Sequence, residues 1–460
     1  MIFDEMQFNS YDRAERKARR AYELYEDGKM TQALDQIEAA LETNPSNGSW
    51  HFNKALTLDA MNRFDEAIAE YEIALQLNPD DLEILNSLGV DYTRTGQYDL
   101  AIDIFERIES ADPKYEPSYC NRIITYTEMG QHDLAEQMFY LAQQIKPHCA
   151  LCYYNIGNSL FARAEYKKAV RCWLRTAELD PSHPQINYRI AQACWSDGDT
   201  ERSREHFLAE LRLDPGDVDV ILDFGLFLLE RGDIESAKEK FNRILELKPD
   251  FALAWFYLGE IAFSNGDSER AVELFDEALA KDNTLAGPSY RLAECALMRG
   301  ANAQVRAYLL SELELSPEDA NVLVSMGSMF MEIGDLDYAA HCLLRAVDLD
   351  GANAEAYYHL GALCALKGQT DDVTRFLTRA LEINGEHVSA LADCASAYLA
   401  AGRPGDAVPM INKARALAGE NPRLEALARR AGMARLRERI SNLIRLLKPR
   451  FTLRPREKSV

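Results

Sequence analysis

The sequence predicts an all-α chain built as an array of helical hairpins, and three observations predict it. Prolines at 45, 79, 113, 147, 181, 215, 249 and 317 fall on one comb with a period of thirty-four residues. Glycine recurs between the teeth, at 28, 96, 130, 198, 232, 266, 300, 334, 368 and 402. Small residues keep step with both at two further positions of the period. A chain of 460 residues with so sustained a short period is an array of supersecondary units rather than a few independent domains.

Asn283, Gly351, Gly385 and Gly419 take the remaining teeth, and counting back from each gives twelve repeats over residues 14–421. They begin at Ala14, Gly48, Leu82, Glu116, Ala150, Pro184, Val218, Ala252, Ala286, Ala320, Ala354 and Val388, with no insertion. Residues 1–13 form a lead-in. In repeat three, LNSLGVDY at 85–92 has helical apolar spacing, Gly96 turns the chain, Ala101 and Phe105 lie on a second helix, and Pro113 ends it. The turn position needs a left-handed residue, which suits Gly and Asn62 and leaves Ala164 as the exception.

The eighth position is Gly or Ala except at Ile123, and the twentieth is Ala except at Ser203, Val305 and Val373, as expected where two helices cross closely. Tyr71, Phe105, Phe139, Trp173, Phe207, Phe241 and Phe275 recur at position twenty-four and should fill the space between helix pairs. One repeat cannot bury its own apolar face, so stacking must build a continuous core that needs a polar last turn. Residues 422–448 supply a basic amphipathic capping helix, with Leu424, Leu427, Leu436, Ile440, Leu443 and Leu447 on the side that covers the last repeat. Residues 449–460 read as a basic disordered tail.

WFYLGEIA at 255–262, followed by Ala271 and Phe275 and by the proline comb, resembles the tetratricopeptide repeat family. The resemblance covers all twelve repeats. It implies a right-handed α-solenoid superhelix with the first helix of each repeat lining a concave face, and inward-looking positions two, five, six, nine, twelve and thirteen.

Composition narrows the function. The net charge is -23, yet residues 422–460 alone hold twelve Lys and Arg against three acids, so an acidic body carries a basic tail. The inward positions would hold thirteen acids opposed only by Arg19, Arg94, Arg189 and Arg291, which disfavours nucleic acid. No apolar run is long enough for a membrane span, the first residues lack a secretory pattern, and nine scattered cysteines fit reduced thiols, all of which place the protein in the cytoplasm. No phosphate loop, G-x-S-x-G or H-E-x-x-H is present, so no catalytic residues, cofactor or metal are assigned.

The candidate partner-binding residues are Asn53, Asn121, Tyr154, Asn155, Asn158, Tyr188, Arg189, Gln192, Trp195, Tyr257, Glu260 and Tyr290. A column of amides can both donate to and accept from an extended backbone, and aromatics at inward positions give it flat apolar surface. Asn155 and Arg189 match two positions of the clamp by which some relatives grip a carboxylate tail, but Cys120 and Gln185 stand where lysines are needed. The expected function is a non-enzymatic scaffold for protein or peptide partners with basic or extended segments. Self-association and weak lipid contact through the basic helix stay open. The alternatives are the recognition subunit of a separate modifying enzyme such as a glycosyltransferase, and a thiol or metal site at His148, Cys149 and Cys152, with Cys172 near it.

Overall fold

The computed structural model describes residues 2–419 and 421–447, with side chains described from 13 to 443 apart from residue 420. Among the described residues there are twenty-five helices and no strand. The chain is an all-α solenoid that divides into two compact units, Met1–Gly232 and Asp233–Val460. Eleven hairpins of consecutive helices lie wholly within one unit or the other. No helix among the described residues is long and apolar enough to cross a membrane. Residue 448, the end of the expected capping helix, and residues 449–460, where the tail was expected, lie outside the described part.

All twelve turn positions have positive φ, including Asn62 at 59° and Ala164 at 58°. Ala164 therefore holds a conformation that its Cβ disfavours, and it does so because the repeat permits no other way to reverse the chain. In several repeats the phrase that follows the closing position serves the next helix. Asp81 accepts from the backbone N–H groups of Glu83 and Ile84 at 3.0 and 3.3 Å, and Asn47, Asp217, Asp319 and Asn353 cap their own helices in the same way. One short segment thus stops one helix and starts another.

The small eighth residue has a definite partner. A Cβ placed on Gly89, Gly157 or Gly259 would lie 2.7, 2.4 and 2.5 Å from the ring of Phe105, Trp173 or Phe275 in the second helix of the same repeat. In these three repeats the ring takes the space that a side chain at the eighth position would need. Repeat four breaks the pair with Ile123, and there Phe139 is only partly buried, whereas Tyr71, Phe105, Trp173, Phe207, Phe241 and Phe275 are buried almost completely.

Two repeats depart from the comb. The first helices of repeats six and nine begin late, at Ile186 and Pro288, after Gln185 at φ 55° and Gly287 at φ 107°. In both, position twenty-seven is glutamate, where the other ten repeats have Ala, Ile or Thr. Glu312, buried, accepts from the N–H groups of Gly287 at 2.8 Å and Tyr290 at 3.2 Å, and Glu210 accepts from Tyr188 N–H at 3.2 Å. A buried carboxylate replaces the missing first turn by taking the N–H groups that the turn would have covered.

Both ends differ from expectation. The helix Ile2–Glu26 runs without a break through residue 14, so the lead-in is continuous with the first repeat. The last helix, Pro422–Leu447, buries Leu424, Leu427 and Ala431 against repeat twelve, but Leu436, Ile440 and Leu443 are about half exposed. Only its first three turns cover the core, because repeat twelve is about that long; Leu447 has no described side chain.

Candidate partner-binding face

In both units, successive first helices are joined by side chains that follow one rule. Position six of a repeat reaches positions five and nine of the repeat before it, and position thirteen reaches position twelve. Asn121 Nδ2 donates to Asn86 Oδ1 at 2.9 Å, and Asn155 Nδ2 donates to the Cys120 carbonyl at 3.0 Å, each across thirty-five residues. Asn155 is buried. The amide expected to hold a partner's backbone is already spent on its own neighbour, because position six points along the stack. Asn53 is half buried in a small recess with Ala21, Tyr22, Tyr25 and Leu56.

In the first unit the rule gathers a polar ladder. Tyr188 Oη donates to Asp223 Oδ2 at 2.7 Å, Gln192 Nε2 to the same oxygen at 2.9 Å, and Trp195 Nε1 to Glu230 Oε2 at 2.5 Å. Burial first, and then the Asp223 carboxylate, push the Tyr188 phenol far above its ordinary pKa, so it stays a donor. Trp195 stands edge-on to Phe227 with centroids 5.8 Å apart, and Tyr154 packs against the His183 ring at 4.3 Å.

Arg189 is different. By the same rule its neighbours are Tyr154 and Asn158, neither of them acidic. Its guanidinium has no carboxylate partner among the described residues, its Nε is buried without a hydrogen bond, and the half-buried Asn158 amide is also unpartnered there.

The second unit closes the equivalent pair. Arg291 binds Glu260 through Nε and Nη2 at 2.6 and 2.7 Å and Glu294 through Nη1 at 2.7 Å, and it lies over the Phe263 and Tyr290 rings. Burial works against this charge, but the bonds to Glu260 and Glu294 outweigh it and raise the pKa. Tyr290 Oη donates to Glu294 at 2.9 Å, and Tyr257 stacks on Phe241 at 5.4 Å. Asp59 is paired with Arg94 and Asp393 with Arg423. Of the thirteen acids expected on the face, Asp59, Glu260, Glu294 and Asp393 are thus paired with arginines inside a unit; Glu15, Glu26, Glu83, Glu128 and Asp219 of the first and Glu332 of the second remain exposed and unpaired among the described residues.

The thiol alternative is redrawn. His148 is exposed and faces Arg175, with Nη2 and Nδ1 3.3 Å apart, and Cys172 packs into the apolar core, where burial pushes its pKa up to about 11. Cys149 and Cys152 instead meet Cys120 and Glu116 of the preceding repeat, and Cys120 and Cys152 form a disulfide, so these two are not the reduced thiols expected. The spacing of one repeat between Glu116-x3-Cys120 and Cys149-x2-Cys152 was the signal for that meeting. A cavity of about 880 Å³, lined by Ala365, Leu377, Asp393, Ala397, Tyr398 and Arg403 among others, opens in the second unit where alanines replace larger residues, and the sequence had not marked it.

Models described as tetratricopeptide repeats match residues 154–218, 222–286 and 365–431, and one described as TPR repeat matches 327–368. The N-terminal TPR repeats region of Psidin matches 15–156. No curated protein matches the chain in sequence. Similar solved structures include yeast Tom70, with 15% identity over 95% of this chain and 99% of that one at a TM-score of 0.39. The Cut9 and Hcn1 hetero-tetramer of APC/C has 15% identity over 91% and 96% at 0.42, and a tetratricopeptide repeat protein from Parabacteroides merdae has 16% over 54% and 96% at 0.44.

Proposed function

Because the chain belongs to the tetratricopeptide repeat family, we propose that it is a non-enzymatic cytoplasmic scaffold that holds an extended peptide segment of a protein partner on the face of repeats five to seven. The observation that carries this is the open pair Arg189 and Asn158. The same two repeat positions are sealed by Arg291 and Glu260 in the second unit, so an arginine here can be satisfied internally, and Arg189 is not. A guanidinium beside a free amide is a set of donors waiting for oxygen, which a peptide backbone supplies at every residue. Tyr154 and Trp195 offer flat surface on either side, and the exposed carboxylates of Glu128 and Asp219 suit basic side chains of the same segment. Seven free cysteines accord with a reducing compartment.

The test is selection of a displayed random-peptide library on the full-length chain, followed by affinities for the selected peptides. Arg189→Gln should weaken binding by about tenfold or more, the worth of a charged hydrogen bond, without lowering the melting temperature, because no internal partner is lost. Peptides that bind Arg189→Gln as tightly as the wild type would overturn the assignment of this site.

A further inference from the structure

At the junction of repeats four and five, four metal-binding side chains converge from the helix Glu116–Glu128 and from the first turn and N-cap of the helix Ala150–Ala162. Cys120, Cys149 and Cys152 are buried, and the Glu116 side chain is 12% exposed. Cys120 Sγ lies 3.6 Å from Cys149 Sγ, and Glu116 Oε1 lies 3.4 Å from Cys120 Sγ and 3.2 Å from Cys152 Sγ. Each of the four donor atoms is within 4.8 Å of every other.

We infer that Glu116, Cys120, Cys149 and Cys152, once the disulfide is reduced, form a tetrahedral zinc(II) site that bridges repeats four and five. Zinc bonded to sulfur at about 2.3 Å and to oxygen at about 2.0 Å sets tetrahedral edges of about 3.8 Å between sulfurs and about 3.5 Å between sulfur and oxygen. The measured separations of 3.6, 3.4 and 3.2 Å are close to those edges. Cys120 and Cys152 must part, and the edges from Cys149 to Cys152 and to Glu116 lie within 4.8 Å. Three sulfurs and one carboxylate are a donor set that favours zinc over the hard cations.

The surroundings fit. Cys149 is the N-cap of its helix and its sulfur accepts from the Cys152 N–H at 3.3 Å, the polarity that suits a thiolate. Lys146 Nζ, 4.0 Å from Glu116 Oε2, offsets part of the negative charge. In the balanced sequence, a dithiol reductant supplies two electrons and two protons to the disulfide and itself closes to a disulfide. Zinc then displaces three thiol protons to solvent, while Glu116 binds already ionised.

The full-length protein, reduced and held without oxygen, should bind one equivalent of cobalt(II). The spectrum should show sulfur-to-metal charge transfer and tetrahedral ligand-field bands, and zinc should abolish both. Cys149→Ser and Glu116→Gln should each weaken zinc binding by more than about tenfold, while His148→Ala and Cys172→Ser leave it unchanged. Should a variant fail to fold, alkylation of the wild type decides: zinc should protect Cys120, Cys149 and Cys152 and leave Cys172 as reactive as before. Reduced wild type that binds neither metal, undiminished binding in Cys149→Ser or Glu116→Gln, or no protection from alkylation would each overturn the site.

Discussion

Asp91 lies fully buried on the first helix of repeat three, and replacing it with Asn should change how the first unit responds to acid. Its Oδ1 accepts from Arg94 Nη1 at 3.2 Å, but Oδ2 is buried with no hydrogen-bond partner. Burial, and then the nearby Asp59 carboxylate, raise its pKa from 3.8 to about 6, against the pull of Arg94. The folded-state value is the higher one, so between about pH 4 and pH 6 the native state binds more protons than the unfolded state. Stability from this group is therefore present at low pH and lost as pH rises through about 6. A shift of about two units corresponds to about 3 kcal/mol. Asp91→Asn removes the titration and adds only a constant offset from its amide. Hence the wild type should gain about 3 kcal/mol relative to Asp91→Asn on going from pH 7 to below pH 4. Urea unfolding followed by tryptophan fluorescence reads this out, since Trp50, Trp173 and Trp195 lie in the first unit. A difference between the two proteins that does not change with pH, or one that moves the other way, would refute the reasoning.

Two further outcomes follow from the packing. Glu312→Ala should cost about 1–3 kcal/mol, because the N–H groups of Gly287 and Tyr290 lose a buried acceptor, and hydrogen exchange at Tyr290 should speed up accordingly. Gly259→Ala should cost about 1–3 kcal/mol in the second unit by driving a methyl into the buried Phe275 ring, whereas Gly405→Ala, with open space around it, should be near neutral; urea midpoints of the two variants check the contrast.

Helix order, turns and the main burial pattern were legible because they are local and repeated. A left-handed residue at each turn, a proline at eight of twelve closures and a ring at position twenty-four in seven repeats each depend on one stretch of chain, and the period multiplied the signal. What escaped was pairwise. Gly89 was read as a close helix crossing, but its Cβ is excluded by one ring, that of Phe105. The same coupling explains why Phe139 sits only partly buried beside the bulkier Ile123. Glu210 and Glu312 carried a signal at position twenty-seven that becomes meaningful only with the shortened helix they cap.

The candidate site shows the same division between position and partner. The family resemblance implies which positions look inward, and it names Asn155 and Arg189 alike, since both hold position six. Whether such a residue is available depends on positions five and nine of the preceding repeat, about thirty-one to thirty-five residues away. For Asn155 the partner is the Cys120 carbonyl, and its amide is consumed. For Arg291 it is Glu260, and the charge is consumed. For Arg189 the two positions hold Tyr154 and Asn158, neither of which can neutralise a guanidinium. A buried nitrogen without a partner is costly in an isolated chain, and that cost falls when a ligand brings oxygen to it. On the proposed function, a peptide that brings oxygen to Arg189 relieves that cost, and specificity at this face is then expected to rest on Arg189 more than on the acids around it.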